Sequence, residues 1–265
     1  MTKQSRLIWA LLNAAGLVLA LVCNGLANAL PFNGLGTGQL SDLYPNLFVP
    51  VGLTFSIWGV IYLWLMGLVG YSFALIRREQ ERNPLALIGP WFLVNCLANA
   101  AWIFAWHWQF VSVSLVVMGL ILVSLVAMYL RLGVGKEPAS AADRWLVHAP
   151  ISVYMGWITV ATIANVTTLA IDLGASPFGP IPALLTASVM SVAVLIAGRM
   201  LWAYRDVLYA LVVAWAFLGI YLKRSTASED GSQLVATAAL IGLVVLGLGL
   251  LATVVRKLRS PVETS

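Results

Sequence analysis

Eight long apolar stretches constrain the fold of this chain more than any other feature. They lie approximately at residues 7–29, 50–76, 86–108, 110–131, 145–170, 182–199, 203–222 and 234–256. A helix needs about 20 mostly apolar residues to cross a bilayer, so each stretch is a candidate span. Only 9% of the residues are charged, whereas a soluble domain has about 25%. The sequence therefore predicts an all-α, polytopic membrane helix bundle with about eight transmembrane helices.

Basic residues are concentrated in alternate connections between these stretches. From the N-terminus they are Lys3 and Arg6; Arg77, Arg78 and Arg82; Arg131, Lys136 and Arg144; Arg199 and Arg205; and Arg256, Lys257 and Arg259. The connections at 30–49, near 109 and at 171–181 contain no Lys or Arg, and only 223–233 breaks the pattern. This alternation predicts that both termini are cytoplasmic, in an integral membrane protein that we expect in a bacterial inner membrane. The net charge of +5 then reflects topology, and no basic and aromatic patch indicates nucleic-acid binding.

The first apolar stretch has some features of a signal peptide. Basic residues precede it, and it ends in Ala27-Asn-Ala29. Its apolar run of about 20 residues is longer than the usual 7–15 of a signal peptide. It also carries Asn13, Asn24 and Asn28 close to one helical face. We therefore expect a first helix that is retained.

The connection at 30–49 is long, and it is apolar for a loop. Pro31, Gly34, Gly36, Gly38 and Pro45 argue against a regular helix there. Its leucines and aromatic residues predict that it folds down onto another part of the protein. A lid over a functional site and a loop that rests on the lipid interface are both consistent with this composition.

Three of the apolar stretches carry aromatic and amide side chains at helical spacing. The second has Phe55, Trp58 and Tyr62 on one face, the third has Asn95, Asn99, Trp102 and Trp106, and the fifth has Tyr154, Trp157, Ala161 and Asn165. Amides within a membrane are costly unless they face the protein interior. They could bind a ligand or hold the helices together by hydrogen bonds, and both interpretations stay open.

Depth in the membrane gives a second indication of a site. At 1.5 Å per residue, Asn24 of the first stretch lies about 7 Å below the outer surface, and Phe55, Trp58, Asn99, Trp102 and Asn165 lie at about 7 to 14 Å. Trp157 lies deeper, at about 20 Å, where it would form the floor of a pocket. Apolar walls with a few converging polar groups are typical of small-molecule sites.

These segments resemble the TspO/translocator family, the tryptophan-rich sensory proteins. The matching residues are Tyr44, Pro50, Phe55 and Trp58; Asn99 and Trp102; and Pro150, Tyr154, Trp157, Ala161, Thr162 and Asn165. The family's paired prolines are reduced to Pro50-Val51, and Val166-Thr-Thr-Leu replaces the Tyr and basic residue of sterol-responsive relatives. The resemblance covers roughly residues 1–172, as a five-helix membrane domain. Residues 173–265 lie outside it, as a three-helix extension.

The resemblance implies a membrane-embedded sensor or binding protein for flat apolar ligands such as tetrapyrroles, with a porphyrin or haem-type molecule as the ligand. Phe55, Trp58, Asn99, Trp102, Trp157 and Asn165 would bind it. The segment 30–49, with Tyr44, Phe48 and Pro50, would form a lid. A facilitator that moves small hydrophobic molecules without ion coupling is the alternative. Light-dependent porphyrin breakdown stays open. A homodimer also stays open, although the extension could cover the surface that five-helix relatives use to dimerise.

Other classes of membrane protein fit the sequence less well. The central parts of the first five stretches contain no Asp, Glu, Lys or Arg, which argues against ion-coupled transport. No lysine lies within a stretch to hold retinal, and no nucleophile–base pair or metal cluster indicates an enzyme. We expect His107 to be solvated at the membrane exit, Cys23 and Cys96 to be small buried residues, and the serines of the fourth stretch to have no special role.

Overall fold

The predicted spans form long helices joined by short connections. A computed structural model describes residues 2–30, 32–80 and 83–259, so that Pro31 and Arg82 lie outside the described residues. In chain order the α-helices are α1 Lys3–Ala29, α2 Thr37–Asp42, α3 Ile57–Arg77, α4 Pro84–Ile88, α5 Pro90–His107, α6 Val111–Arg131, α7 Ala141–Asp143, α8 Ala149–Asp172, α9 Pro180–Tyr204, α10 Val207–Arg224 and α11 Ser232–Arg259. Short 3₁₀ segments occupy Phe32–Gly34 and Gly52–Ser56, and one π-helical turn spans Arg144–His148.

The all-α membrane architecture is confirmed. Within the described residues, each of the eight predicted stretches contains one long helix, and seven helices are long and apolar enough by themselves to cross a membrane. The remaining long helix, α5, is not among the seven. Its 18 residues include Asn95, Asn99 and His107, and these polar side chains lower its mean hydropathy. Its place inside the bundle compensates, because all three residues are buried.

Five of the long helices form a closed ring. Going round it, α1 contacts α5, α5 contacts α6, α6 contacts α8, α8 contacts α3, and α3 returns to α1. We call this set the five-helix ring. The short helix α2 lies against α5, at the end of the ring where α1 and α5 finish and α3 begins.

The three C-terminal helices form a layer on one side of the ring. α10 packs against α8 and against the 3₁₀ segment that precedes α3, while α9 and α11 contact α10 and each other. The predicted boundary at residue 172 coincides with the last residue of α8. The division of the chain into two domains at this residue stays a prediction. The contacts of α10 with α8 join the C-terminal layer closely to the ring.

Several helices begin at residues that suit this position. The Thr2 hydroxyl accepts a hydrogen bond from the Ser5 N–H at the start of α1, and the Asn83 side chain accepts one from the Ala86 N–H at the start of α4. Gly89 separates α4 from α5 with a φ of 58°. This left-handed conformation favours glycine and lets Pro90 begin a new helix in a different direction.

The segment 30–49 is more regular than its composition predicts. The expectation that Gly36, Gly38 and Pro45 prevent a helix was wrong, since α2 includes Gly38. The Gln39 side chain accepts a hydrogen bond from the Gly36 N–H and so caps the first turn. Contacts with α5 then stabilise a helix that its own sequence disfavours.

Candidate functional site

A cavity lies beneath α2, at the end of the five-helix ring. Its larger lobe has a volume of about 530 Å³, and a smaller lobe of about 70 Å³ extends between α5, α6 and α8. Both lobes are lined by Thr37, Ser41, Val49, Pro50, Phe55, Trp58 and Trp102. We call the two lobes together the aromatic cavity. Its size falls within the roughly 300–1,000 Å³ of typical small-molecule pockets.

Aromatic rings meet edge to face in the wall of this cavity. The Trp157 ring lies 5.8 Å from the Phe55 ring at 87°, and 6.2 Å from the Trp58 ring at 86°. The Trp102 ring stacks on that of Trp106 with centroids 5.6 Å apart. Such pairs hold each ring in one orientation. These ring contacts pack the aromatic side chains of the wall against one another.

The six residues predicted from the sequence divide into three groups. Phe55, Trp58 and Trp102 line both lobes, whereas Trp157 and Asn165 line the smaller lobe. Asn99 lines neither lobe, although the sequence analysis placed it among the ligand-binding residues. Five of the six thus surround one space, and their contact with a ligand stays a prediction.

Asn99 instead joins three helices behind the wall. Its amide oxygen accepts a hydrogen bond of 2.6 Å from the Asn24 side chain of α1, and its amide nitrogen donates one of 2.7 Å to the Tyr154 hydroxyl of α8. Both of its polar groups are therefore used within the protein. Asn24 itself lines the larger lobe, so Asn99 holds a cavity residue in place.

Two other amides are also held by neighbouring helices. The Ser114 hydroxyl of α6 donates a hydrogen bond of 2.7 Å to the Asn165 side chain of α8. Asn95 donates one of 2.8 Å to the Ser124 hydroxyl of α6. As expected, both serine hydroxyls also lie within hydrogen-bonding distance of a carbonyl of their own helix, at 2.8 Å for Ser114 and 2.7 Å for Ser124. The sequence did not indicate that each one also links two helices. The hypothesis that amides hold the bundle together thus applies to Asn95 and Asn99, while Asn165 both cross-links and lines the cavity.

Two indole groups of the cavity retain unused hydrogen-bond donors. Among the described residues, the Nε1 atoms of Trp102 and Trp157 are buried without a hydrogen-bond partner. By contrast, Trp106 donates from Nε1 to the Thr37 carbonyl at 3.2 Å. A buried donor without a partner costs about 1–3 kcal/mol. An acceptor on a molecule in the cavity would remove that cost at both tryptophans.

The segment above the cavity is fixed to α5 through His107. One ring nitrogen of His107 lies 3.2 Å from the Thr37 hydroxyl, and the other lies 3.2 Å from the Phe32 carbonyl. The ring is fully buried, so the expectation of a solvated histidine was wrong. The segment 30–49 folds over this end of the ring and covers His107, which the sequence placed at the exposed end of a helix.

The three residues predicted for the lid occupy different places. Pro50 lines both lobes, and Phe48 is fully buried in the core. Tyr44 is half-buried, and its hydroxyl donates to the Gln109 side chain at 3.4 Å. Partial burial, and then the nearby Asp172 carboxylate, raises the pKa of Tyr44. Its hydroxyl therefore stays protonated at neutral pH.

The far end of this segment is held by α10. The buried Arg224 guanidinium donates to the Asn46 carbonyl at 3.2 Å. The Asn46 side chain in turn accepts hydrogen bonds from the N–H groups of Phe48 and Val49. This helix lies in the extension, so the extension contributes to the closure of the site.

α10 also forms part of the cavity wall. The Trp215 indole donates to the Thr54 carbonyl at 2.9 Å, and the Val51 N–H donates to the Gly219 carbonyl at 3.1 Å. Lys223 lines the larger lobe, together with Asp42. Lys223 was not among the residues predicted from the sequence, although it lies at the start of 223–233, the one connection that breaks the alternation of charge.

The described residues contain no group of three or more His, Cys, Asp or Glu side chains that could hold a metal ion. Cys23 and Cys96 are buried and not joined to each other. The groups that the aromatic cavity offers to a ligand are thus indole rings, hydroxyls, three amides and two charged side chains.

One comparison with known proteins identifies a family for the chain. A family model described as TSPO-like protein matches residues 10–252. The match continues beyond residue 172, through α9 and α10 and most of α11, and so extends further than the motifs that carried the resemblance. No curated protein and no solved structure matches the chain.

Proposed function

This chain belongs to the TSPO-like protein family, and from that premise we propose that it binds a flat, apolar molecule of the tetrapyrrole type in the aromatic cavity. The aromatic cavity is the observation that carries the proposal. Trp58 and Trp102 line both of its lobes, and Trp157 lines the smaller one. Indole faces stack well on a flat conjugated ring.

The polar groups of the cavity support a ligand with acceptors at its edge. The unused N–H donors of Trp102 and Trp157 would each bind an oxygen or nitrogen acceptor. Lys223 lines the larger lobe, where its ammonium group would bind a carboxylate. Porphyrins combine a flat apolar ring with carboxylates at one edge, so they fit this arrangement of groups.

Porphyrin titration of the purified protein tests the proposal. We expect protoporphyrin to quench the intrinsic tryptophan fluorescence saturably, and Trp58→Ala or Trp102→Ala to weaken binding about tenfold through lost stacking. Trp202→Ala is the matched control, because Trp202 is 71% exposed on α9 and lies outside the aromatic cavity. Trp102 is buried, so its truncation also lowers stability, and binding is therefore compared at a temperature at which all three variants remain folded. Absence of saturable binding of porphyrins, haem and sterols to the unaltered protein would exclude the proposal.

A second substitution separates stacking from hydrogen bonding. Trp102→Phe keeps an aromatic ring but removes the indole N–H, so we expect a smaller loss of affinity than in Trp102→Ala. If Trp102→Phe binds as well as the unaltered protein, the N–H group has no part in recognition. If Trp102→Phe binds as poorly as Trp102→Ala, hydrogen bonding outweighs stacking.

The alternative function is a facilitator for small hydrophobic molecules. The smaller lobe favours it, because it extends the space beneath α2 toward the interior between α5, α6 and α8. Liposomes that contain the protein would then release a trapped porphyrin faster than empty liposomes, without an ion gradient. Saturable binding with unchanged release would favour the sensor or binding function.

We also propose an inner-membrane location with both termini in the cytoplasm. The alternation of basic residues along the sequence supports this orientation. Reporter fusions at Asn33 and at the C-terminus should then indicate opposite sides of the membrane. The same side for both would contradict the topology without affecting the ligand proposal.

A further inference from the structure

A second cavity lies at the opposite end of α8 and α10 from the lid. It has two lobes of about 560 and 350 Å³. Both lobes are lined by Gly135, Arg144, His148, Tyr204, Arg205 and Val207. We call the two lobes together the basic cavity. No residue of the aromatic cavity contributes to it.

Local backbone features shape this cavity. A π-helical turn, Arg144–His148, precedes α8, and such turns are often found at functional sites. Arg205, between α9 and α10, has a left-handed φ of 52°, which is uncommon for a residue other than glycine. Gly135 allows its loop to approach the Tyr204 backbone so closely that a Cβ atom would clash.

The charged side chains of the basic cavity are arranged to bind an anion. Arg144 and Arg205 line both lobes, and within the described part of the chain neither guanidinium forms an ion pair. The Lys136 ammonium lies 4.9 Å from the centre of the Tyr204 ring and adds a third positive charge nearby.

Two carboxylates also face the basic cavity. Asp206 accepts hydrogen bonds from the Tyr129 hydroxyl at 2.9 Å and from the Tyr209 N–H at 3.1 Å, so its charge is already stabilised by the protein. Glu137 lines the larger lobe and opposes anion binding there. The two lining arginines balance these two carboxylates in charge, and the nearby Lys136 ammonium leaves an excess of one positive charge.

We propose that the basic cavity binds the phosphate of an anionic phospholipid headgroup. Guanidinium groups match the geometry of phosphate oxygens, and basic pockets between membrane helices bind anionic headgroups. Thr253 and Val254 of α11 line the larger lobe. On the same helix Leu248, Leu251 and Val254 are 63%, 61% and 47% exposed. These apolar side chains give the acyl chains a surface that begins at the cavity.

The position of the cavity favours a lipid over a soluble phosphate compound. It is bounded by the ends of helices that cross the membrane, and the exposed apolar side chains of α11 lie beside it. The same end of the bundle carries Arg131, Lys136 and Arg199. Anionic lipids accumulate beside such basic surfaces.

The test uses the full-length protein in lipid nanodiscs. Its thermal stability is measured in phosphatidylcholine alone and with added phosphatidylglycerol. We expect phosphatidylglycerol to stabilise the protein, and Arg144→Gln and Arg205→Gln each to weaken this lipid's apparent affinity about fivefold. Arg199→Gln is the control, because Arg199 is exposed at the same end and does not line the cavity. Glu137→Gln should strengthen binding, since it removes the opposing charge.

Three results decide between the sources of the phosphate. An apparent lipid affinity that falls about fivefold in Arg144→Gln, less in Arg144→Lys and not at all in Arg199→Gln supports the proposal. Equal stabilisation of every variant would overturn it, because the lipid would then act through general surface charge. Full stabilisation by glycerol phosphate in phosphatidylcholine nanodiscs would overturn the lipid assignment and indicate a soluble ligand. None of these outcomes depends on the aromatic cavity, so they leave the proposed function unaffected.

Discussion

The five-helix ring and the two outermost helices, α9 and α11, are joined to their neighbours by different kinds of contact. Within the ring, polar side chains cross between helices, as in Asn24 to Asn99, Asn99 to Tyr154, Asn95 to Ser124 and Ser114 to Asn165. In α9 and α11, Ser188, Ser191, Thr237 and Thr253 instead donate to the carbonyl one turn earlier in their own helix. The outer helices pack through small residues such as Gly242, which lies against the Phe217 ring.

This difference shows how precisely the helices of each region have to be positioned. Hydrogen bonds between helices determine both spacing and rotation, and a cavity needs both to bring side chains together. Close packing of small residues is sufficient for helices with a large lipid-facing surface. α10 belongs with the ring in this respect, since Trp215 and Arg224 donate hydrogen bonds to residues around the aromatic cavity.

The largest effect is expected where α10 meets the start of α3. Gly219 has no space for a side chain, because a Cβ atom there would clash with Pro50 and Thr54. We expect Gly219→Ala to destabilise the protein by about 3 kcal/mol through overpacking. It should also abolish saturable porphyrin binding, because Pro50 lines both lobes. Reversible unfolding in mixed micelles and porphyrin titration measure the two effects.

Gly247→Ala in α11 provides the matched control for this change. No heavy atom lies within 4 Å of the position that its Cβ would take. It should be neutral or slightly stabilising, because alanine favours a helix over glycine. If Gly219→Ala were equally harmless, α10 would not form part of the site, and the C-terminal layer would act as one unit.

The next effect concerns the hydrogen bonds that cross the ring. Asn99→Ala removes the partner of both Asn24 and Tyr154, so we expect a loss of about 2 kcal/mol in unfolding free energy. Thr237→Ala in α11 removes a hydrogen bond within one helix, and we expect a change below about 0.5 kcal/mol. Equal losses in the two variants would show that ring and layer do not differ in how they are stabilised.

Much of this architecture could be predicted from the sequence, because membrane helices are determined by local composition. The eight spans follow from length and hydropathy, and the aromatic faces of α3 and α8 follow from helical spacing. The spacing also placed Phe55, Trp58, Trp102, Trp157 and Asn165 around one space. These features need no knowledge of which helices are neighbours.

The remaining features depend on contacts between distant parts of the chain. Asn99 could have faced either a ligand or other helices, and only the positions of Asn24 and Tyr154 decide this. His107 was expected to be solvated because its helix ends there, yet α2 covers it. Lys223 reaches the cavity from a helix that the motif resemblance left out. Helical spacing indicates on which face of its helix a side chain lies, but not which residues of other helices it contacts.

A smaller effect is expected at the point where α10 holds the segment 30–49. Arg224→Gln removes a hydrogen bond to the Asn46 carbonyl, so the segment should open more readily. We expect bound porphyrin to dissociate about fivefold faster, with little change in its association rate. Glu229→Gln is the control, because it removes only the partly exposed partner that lies 3.6 Å from Arg224. Unchanged dissociation in Arg224→Gln would indicate that the segment does not retain the ligand.

The smallest effect is expected at an exposed contact between the start of α1 and the turn that follows α3. The Lys3 ammonium binds the Glu79 carboxylate at 2.6 Å, and both side chains are largely exposed. The hydrogen bond from Lys3, and then its charge, lowers the pKa of Glu79. Any stability from this pair is therefore present at neutral pH and is lost as the pH falls below about 4. Solvent screens such pairs, so Glu79→Gln should leave the unfolding midpoint unchanged at neutral pH, with and without added salt. If it destabilised the protein as much as Asn99→Ala does, surface charge rather than buried hydrogen bonds would hold the ring together.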